Sequence, residues 1–208
     1  MQRFADRFAK LIPSLRDRYD APGRAYHNWA HVQALLEHFE RATPDLHAPE
    51  AVEIALYYHD VIYVPGSKHN EDDSADTMLT ELSGRADAGT LEAADRIIRA
   101  TASHAVPEGM NTKAARDCAL FLDMDLAILG TDAETFDAFD TAIRVEFAMV
   151  PDHLFYPRRL EVMRGFQQRD RIYLTARYHA SHDVTARRNL SRLVARLTRD
   201  WLDQPSAE

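Results

Sequence analysis

An adjacent histidine and aspartate, His59-Asp60, interrupt an otherwise apolar run, with Ala55-Leu56-Tyr57-Tyr58 before them and Val61-Ile62-Tyr63 after. Both groups are costly to take out of water: a buried carboxylate needs a counter-charge, and an imidazole needs hydrogen-bond partners. A divalent cation satisfies both at once, and that reading demands further ligands elsewhere in the chain. His27 and His31 stand four apart, a spacing that predicts one face of a helix and one turn of separation. Asp123 and Asp125 interrupt a second apolar stretch. Imidazoles and carboxylates from three segments make a mixed nitrogen and oxygen set. Such a set suits a first-row divalent ion with positions left for water and substrate. Spacing alone does not choose between Asp123 and Asp125.

The elements that must gather these groups read as helices, because few stretches alternate with period two. Phe4, Phe8, Leu11, Ile12, Leu15 and Tyr19 form one helical stripe, ended by Pro22-Gly23. A second helix turns Val32, Leu35, Leu36 and Phe39 inward and stops before Pro44, and a third runs from Pro49 to the His-Asp pair. Asn70 reads as the cap of a fourth helix, Glu71 to Ser83, whose acidic first turn suits the helix dipole. A fifth spans Thr90 to Ser103. A sixth, Ala114 to Leu129, is apolar nearly all round and therefore central. Thr131 and Glu134 have capping-box spacing for a seventh, halted by Pro151. Pro157 at a helix start and Asp183 as a cap add two or three more, the last ending near Trp201. The expectation is an all-α bundle forming one domain over residues 1–203, with a short tail from Gln204 to Glu208.

Composition narrows the function classes. The 208 residues are enough for one substantial core, and no apolar run approaches a membrane span. Met1-Gln2-Arg3-Phe4-Ala5-Asp6 lacks the layout of a signal peptide, and the single cysteine, Cys118, fits a reducing cytoplasm. A net charge of -8 argues against duplex nucleic acid as the partner. It leaves room for a small phosphate ester, because a metal or a local cationic group overrides the global sign. His38, His47, His153 and His179 read as surface histidines. Arg188, Arg192 and Arg196, four apart, read as a solvated, salt-bridged helix face.

Five blocks in order carry a resemblance: Arg24-x-Tyr26-His27-Asn28-Trp29-Ala30-His31-Val32, Tyr58-His59-Asp60-Val61-Ile62-Tyr63, Asn70-Glu71-x-x-Ser74-Ala75, Thr101-x-x-His104, and Asp123-Met124-Asp125-Leu126-Ala127-Ile128-Leu129-Gly130. Together they resemble the HD-domain metal-dependent phosphohydrolases, in particular a bacterial subgroup of predicted HD phosphohydrolases. The resemblance implies an HD-domain-like helical bundle and a metal held by His31, His59, Asp60 and either Asp125 or Asp123. It implies that a water activated by that metal cleaves a phosphate ester of a nucleotide or another small metabolite. By position in the blocks, Arg24, His27 and His104 are candidates to neutralise phosphate charge, and Glu71 to orient or deprotonate the water. Relatives with two metals show His-Glu where this chain has Asn70-Glu71. The expected cofactor is therefore one divalent ion, of the class Mn, Fe, Co, Ni, Zn or Mg. Expected partners are the phosphorylated metabolite and no membrane, with self-association into a homo-oligomer allowed. Two rival readings accompany this one: a nucleotide-sensing module without catalysis, and a di-iron oxygenase, which needs more histidine ligands.

Overall fold

The computed structural model describes residues 3–202, so the expected tail at 204–208 lies outside the described residues. Those residues form ten α-helices and two short 3₁₀ turns, with no strand among them. The fold is all-α. None of the described helices is long and apolar enough to cross a membrane. Two compact units divide the chain, Met1–Asp125 and Leu126–Glu208.

The first unit holds α1 (Phe4–Arg7), α2 (Ile12–Tyr19), α3 (Trp29–Ala42), α4 (Pro49–Tyr58), α5 (Asn70–Leu82), α6 (Ala88–Ala100) and α7 (Thr112–Asp125). Its centre is α4. Every residue from Ala51 to Tyr58 is buried, and α1, α3, α5, α6 and α7 all pack against it. A helix apolar on all sides has no solvent face to present, so the chain surrounds it. Trimming a core residue here, such as Leu56→Ala, costs about 2–5 kcal/mol through lost transfer energy and a residual cavity. The one acid in this stretch, Glu53, accepts from Arg3 Nε at 2.7 Å, which keeps its charge paired. Ala48 offers no capping side chain; Asp117 of α7 accepts from the N–H groups of His47 and Ala48 at 2.7–3.1 Å and does the capping from a distance.

The single N-terminal helix expected from its apolar stripe is two, α1 and α2. Pro13 is the reason: it sits in the first turn of α2, cannot donate back to residue 9, and forces a break before it. Asn70 is not a cap but the first residue of α5, preceded by His69. The expected sixth helix ends at Asp125 and tightens into a 3₁₀ turn.

The second unit comprises that turn (Leu126–Gly130), α8 (Ala133–Glu146), α9 (Asp152–Gln167) and α10 (Ala176–Leu202). A side chain on Gly130 would meet His182 Cβ at 2.6 Å and the Tyr173 hydroxyl at 2.8 Å, so only glycine lets the turn approach α10 this closely. Asn189 of α10 donates to the carbonyls of Leu129 and Thr131, and the Tyr173 hydroxyl donates to Leu126 O. The cap of α8 is Asp132, which accepts from Thr135 N at 3.0 Å, one residue later than the capping box expected at Thr131. Pro157 lies inside α9 rather than at its start; the bond it fails to make falls on the carbonyl of exposed His153. Asp183 lies inside α10 and accepts from Arg187 at 2.7 Å, while Thr175 Oγ1 accepts from Tyr178 N at the helix start. Arg192 pairs with Asp137 and Arg196 with Asp140, so this arginine face is salt-bridged as expected.

Candidate metal centre

Three helices of the first unit end or turn so that their polar residues meet. Asn28, extended at φ -117° and ψ -175°, caps α3: its Oδ1 accepts from Ala30 N at 2.9 Å and His31 N at 3.4 Å. The chain therefore leaves the helix before His27, and the expected sharing of one helix face by His27 and His31 is not realised. His27 instead stacks on Tyr63, with centroids 4.1 Å apart and planes at 27°. His31, in the first turn of α3, points into the interior. His59 follows the last residue of α4, and Asp125 is the last residue of α7.

His31 Nε2 and His59 Nε2 lie 3.1 Å apart. Asp125 Oδ1 lies 3.2 Å from the first and 3.7 Å from the second. Asp60 Oδ2 lies 3.1 Å from His59 Nε2 and 3.9 Å from His31 Nε2. Donors bound to one ion at about 2.1 Å stand about 3.0 Å apart at right angles and about 3.4 Å apart at the tetrahedral angle. The separations fall in and around that range. Among the described residues, His31, His59 and Asp125 form the group able to hold a metal ion. Neither Asp60 nor Asp123 is in it. Two residues along a helix is a rotation of about 200°, so Asp123 faces away from Asp125 and is fully buried elsewhere.

The imidazole of His59 is prepared by its other nitrogen. Nδ1 lies 3.1 Å from the Leu56 carbonyl, which can only accept, so Nδ1 carries a proton and Nε2 is the free ligand position of the neutral ring. Phe121 packs edge-on against the same ring at 5.7 Å. Burial depresses the basicity of His59, yet the carboxylates of Asp60 and Asp125 outweigh it and push its pKa up to about 9. Burial would likewise raise Asp60, but the charge and hydrogen bond of His59 hold it lowered. Burial acts the same way on Asp125; hydrogen bonds from His104 and His31 and the charge of His59 keep it well below the usual range. The two acids thus demand positive charge between them, and without a metal a proton on His59 supplies it. The imidazoles expose 5% and 1% of their side chains, and Asp60 and Asp125 expose 16% and 12%. The carboxylates are therefore the less deeply buried side of the cluster.

The remaining expected residues serve this arrangement differently. Arg24 donates from Nη1 to the carbonyls of His27 (3.1 Å) and Asp60 (2.6 Å), and from Nη2 to Val61 O (3.0 Å). It also lies over the rings of Tyr19 and Tyr63. It clamps the segment before α3 to the segment after α4 and so holds His31 and His59 in register. His104 Nε2 lies 3.0 Å from Asp125 Oδ2, the oxygen turned away from His31. Its backbone is left-handed at φ 47°, a conformation that costs a non-glycine residue roughly 1–2 kcal/mol. Glu71 is half-buried in the first turn of α5.

Sequence reasoning missed the role of the residues that fix the loop after His59-Asp60. Asn70 Oδ1 accepts from Val64 N at 2.9 Å and its Nδ2 donates to Val64 O at 3.0 Å. Ser74, one turn on, accepts from Ile62 N and donates to Ile62 O. The two side chains pair with the loop as a strand would, and their spacing of four on one helix face was the available signal. Tyr19, fully buried, accepts from Asp60 N at 3.3 Å. The chain matches no protein-family model, no curated protein and no solved structure, so the chemistry of the site rests on its own residues.

Proposed function

We propose that this chain is a metal-dependent phosphohydrolase of the HD-domain kind, acting on a phosphate ester of a nucleotide or another small metabolite. One divalent ion, of the class Mn, Fe, Co, Ni, Zn or Mg, is held by His31, His59, Asp60 and Asp125. The observation that carries the reading is the convergence of two imidazole nitrogens and a carboxylate oxygen within 3.1–3.7 Å. The bidentate use of Asn70 on Val64 supports one ion rather than two, because that position has no imidazole to give.

When bound, such an ion polarises phosphoryl oxygens and makes water available as hydroxide near neutral pH. The protein's own residues do the rest. His59, anchored on Leu56 O, presents Nε2; Arg24 holds the two histidine-bearing segments together. His27, stacked flat on Tyr63 at the open side, donates to the phosphate of the bound ester. Glu71, at the start of α5, orients the attacking water and takes its proton. Substrate reaches the site past Asp60 and Asp125, the more exposed members of the cluster.

Phosphate release from a panel of nucleotides and phosphate monoesters, with Mn²⁺, Co²⁺, Zn²⁺ or Mg²⁺ added in turn, tests this reading. The expected result is metal-dependent release that His59→Ala abolishes. A protein that binds metal yet releases no phosphate from the whole panel would instead be a sensing module.

A further inference from the structure

Helices α5 and α6 are each followed by a residue in the left-handed conformation, although the chain leaves α5 at the extended Ser83 and continues from α6 in a helical turn through Thr101. Just beyond α5 the left-handed position is taken by Gly84 at φ 70°, the residue that adopts it without strain. Beyond α6 it is taken by His104 at φ 47°, and no other non-glycine among the described residues has a positive φ. The N–H of His104 donates to the Ala100 carbonyl at 2.9 Å, the closure by which many helices stop. Glycine would make that closure at lower cost. What it could not do is reach Asp125.

The imidazole reaches it. His104 Nε2 lies 3.0 Å from Oδ2, and the other oxygen of the same carboxylate, Oδ1, lies 3.2 Å from His31 Nε2 and 3.7 Å from His59 Nε2. A carboxylate turns about its last bond unless one oxygen is held, and here the far oxygen is held. We propose that His104 is a positioning residue for the cation site: the strained end of α6 aims its imidazole at Asp125 Oδ2 and so presets Oδ1 as a ligand. This rests on the reading of the cluster as a cation site, and it gives His104 a role other than touching phosphate.

Two substitutions separate positioning from helix ending. His104→Gly relieves the backbone and removes the hydrogen bond. The metal-free variant should melt at or above the wild-type temperature while binding Mn²⁺ about 10- to 100-fold more weakly by calorimetry, the usual loss on removing a group that orients a ligand. His104→Gln restores an amide N–H able to reach Oδ2, so it should recover most of the Mn²⁺ affinity while melting lower than the glycine variant. Wild-type Mn²⁺ affinity in His104→Gly overturns the proposal and leaves the cation site standing. Loss of affinity in His104→Gln as complete as in His104→Gly also overturns it. Should His104→Gly fail to fold, the affinity of His104→Gln decides alone. A wild-type protein that binds none of Mn²⁺, Co²⁺ and Zn²⁺ refutes both the site and the positioning role.

Discussion

Asp125 in the first unit and Asp140 in the second are both nearly buried aspartates on helices, with side chains 12% and 9% exposed. Asp140 accepts from Arg159 Nε at 3.0 Å and Nη2 at 2.9 Å, and its second oxygen accepts from Arg196. Asp125 meets His31, His59 and His104. Guanidinium stays charged at every pH a protein meets, whereas an imidazole carries its charge only conditionally. An acid matched by arginine is a finished structural pair. An acid matched by histidines can exchange their protons for a metal ion. The same amino acid, equally buried, is fixed structure in one unit and exchangeable chemistry in the other.

That contrast can be broken by substitution. Asp140→Asn removes the little-exposed carboxylate that Arg159 and Arg196 share and should cost about 3–5 kcal/mol of stability in chemical denaturation, with Mn²⁺ affinity unchanged. Asp125→Asn should do the reverse. Mn²⁺ affinity falls at least ~100-fold, about 2.8 kcal/mol, while the metal-free melting temperature moves less than in the Asp140 variant. An imidazole can give up its proton when its acid partner is lost, and a guanidinium cannot. Equal losses of stability in the two variants would erase the distinction.

Titration sharpens it further. His59 in the folded metal-free protein is raised from 6.5 to about 9. A raised histidine contributes stability that is complete below its unfolded value and is lost as pH rises through its folded value. Metal-free melting temperature should therefore decline between about pH 6.5 and 9, and His59→Asn should flatten that decline. Because Asp60 and Asp125 are lowered, their contribution is present above the ordinary carboxylate range and is lost in acid. The smallest effect belongs to Arg192→Ala, which removes a bidentate but solvent-exposed pair with Asp137 and should change stability by no more than about 1 kcal/mol.

Much of this was legible in the sequence, and what was not has physical causes. The apolar period gave the helices, and burial of α4 follows from its unbroken apolar content. His59, Asp60 and His31 stood out because polar groups in apolar surroundings need a reason. The choice between Asp123 and Asp125 was hidden, since both interrupt the same helix and only packing against α3 and α4 decides which face turns toward the histidines. His27 was misplaced because Asn28 caps the helix, which begins only at Trp29. Pro157 and Asp183 were read as boundaries on local preference; Pro157 is tolerated inside α9 where the bond it lacks falls on the carbonyl of exposed His153, and Asp183 inside α10 holds Arg187, which ties down the carbonyls of Arg169 and Asp170. His104 was read as a candidate to neutralise phosphate charge, and its left-handed backbone could be seen only in the fold.

Metal stoichiometry tests the central claim most directly. Wild-type protein, loaded with Mn²⁺ or Zn²⁺ and freed of excess, should carry close to one equivalent by elemental analysis, and both His59→Ala and Asp125→Ala should carry almost none while remaining helical by circular dichroism. Wild-type protein without bound metal, or variants that keep the full equivalent, would contradict the account.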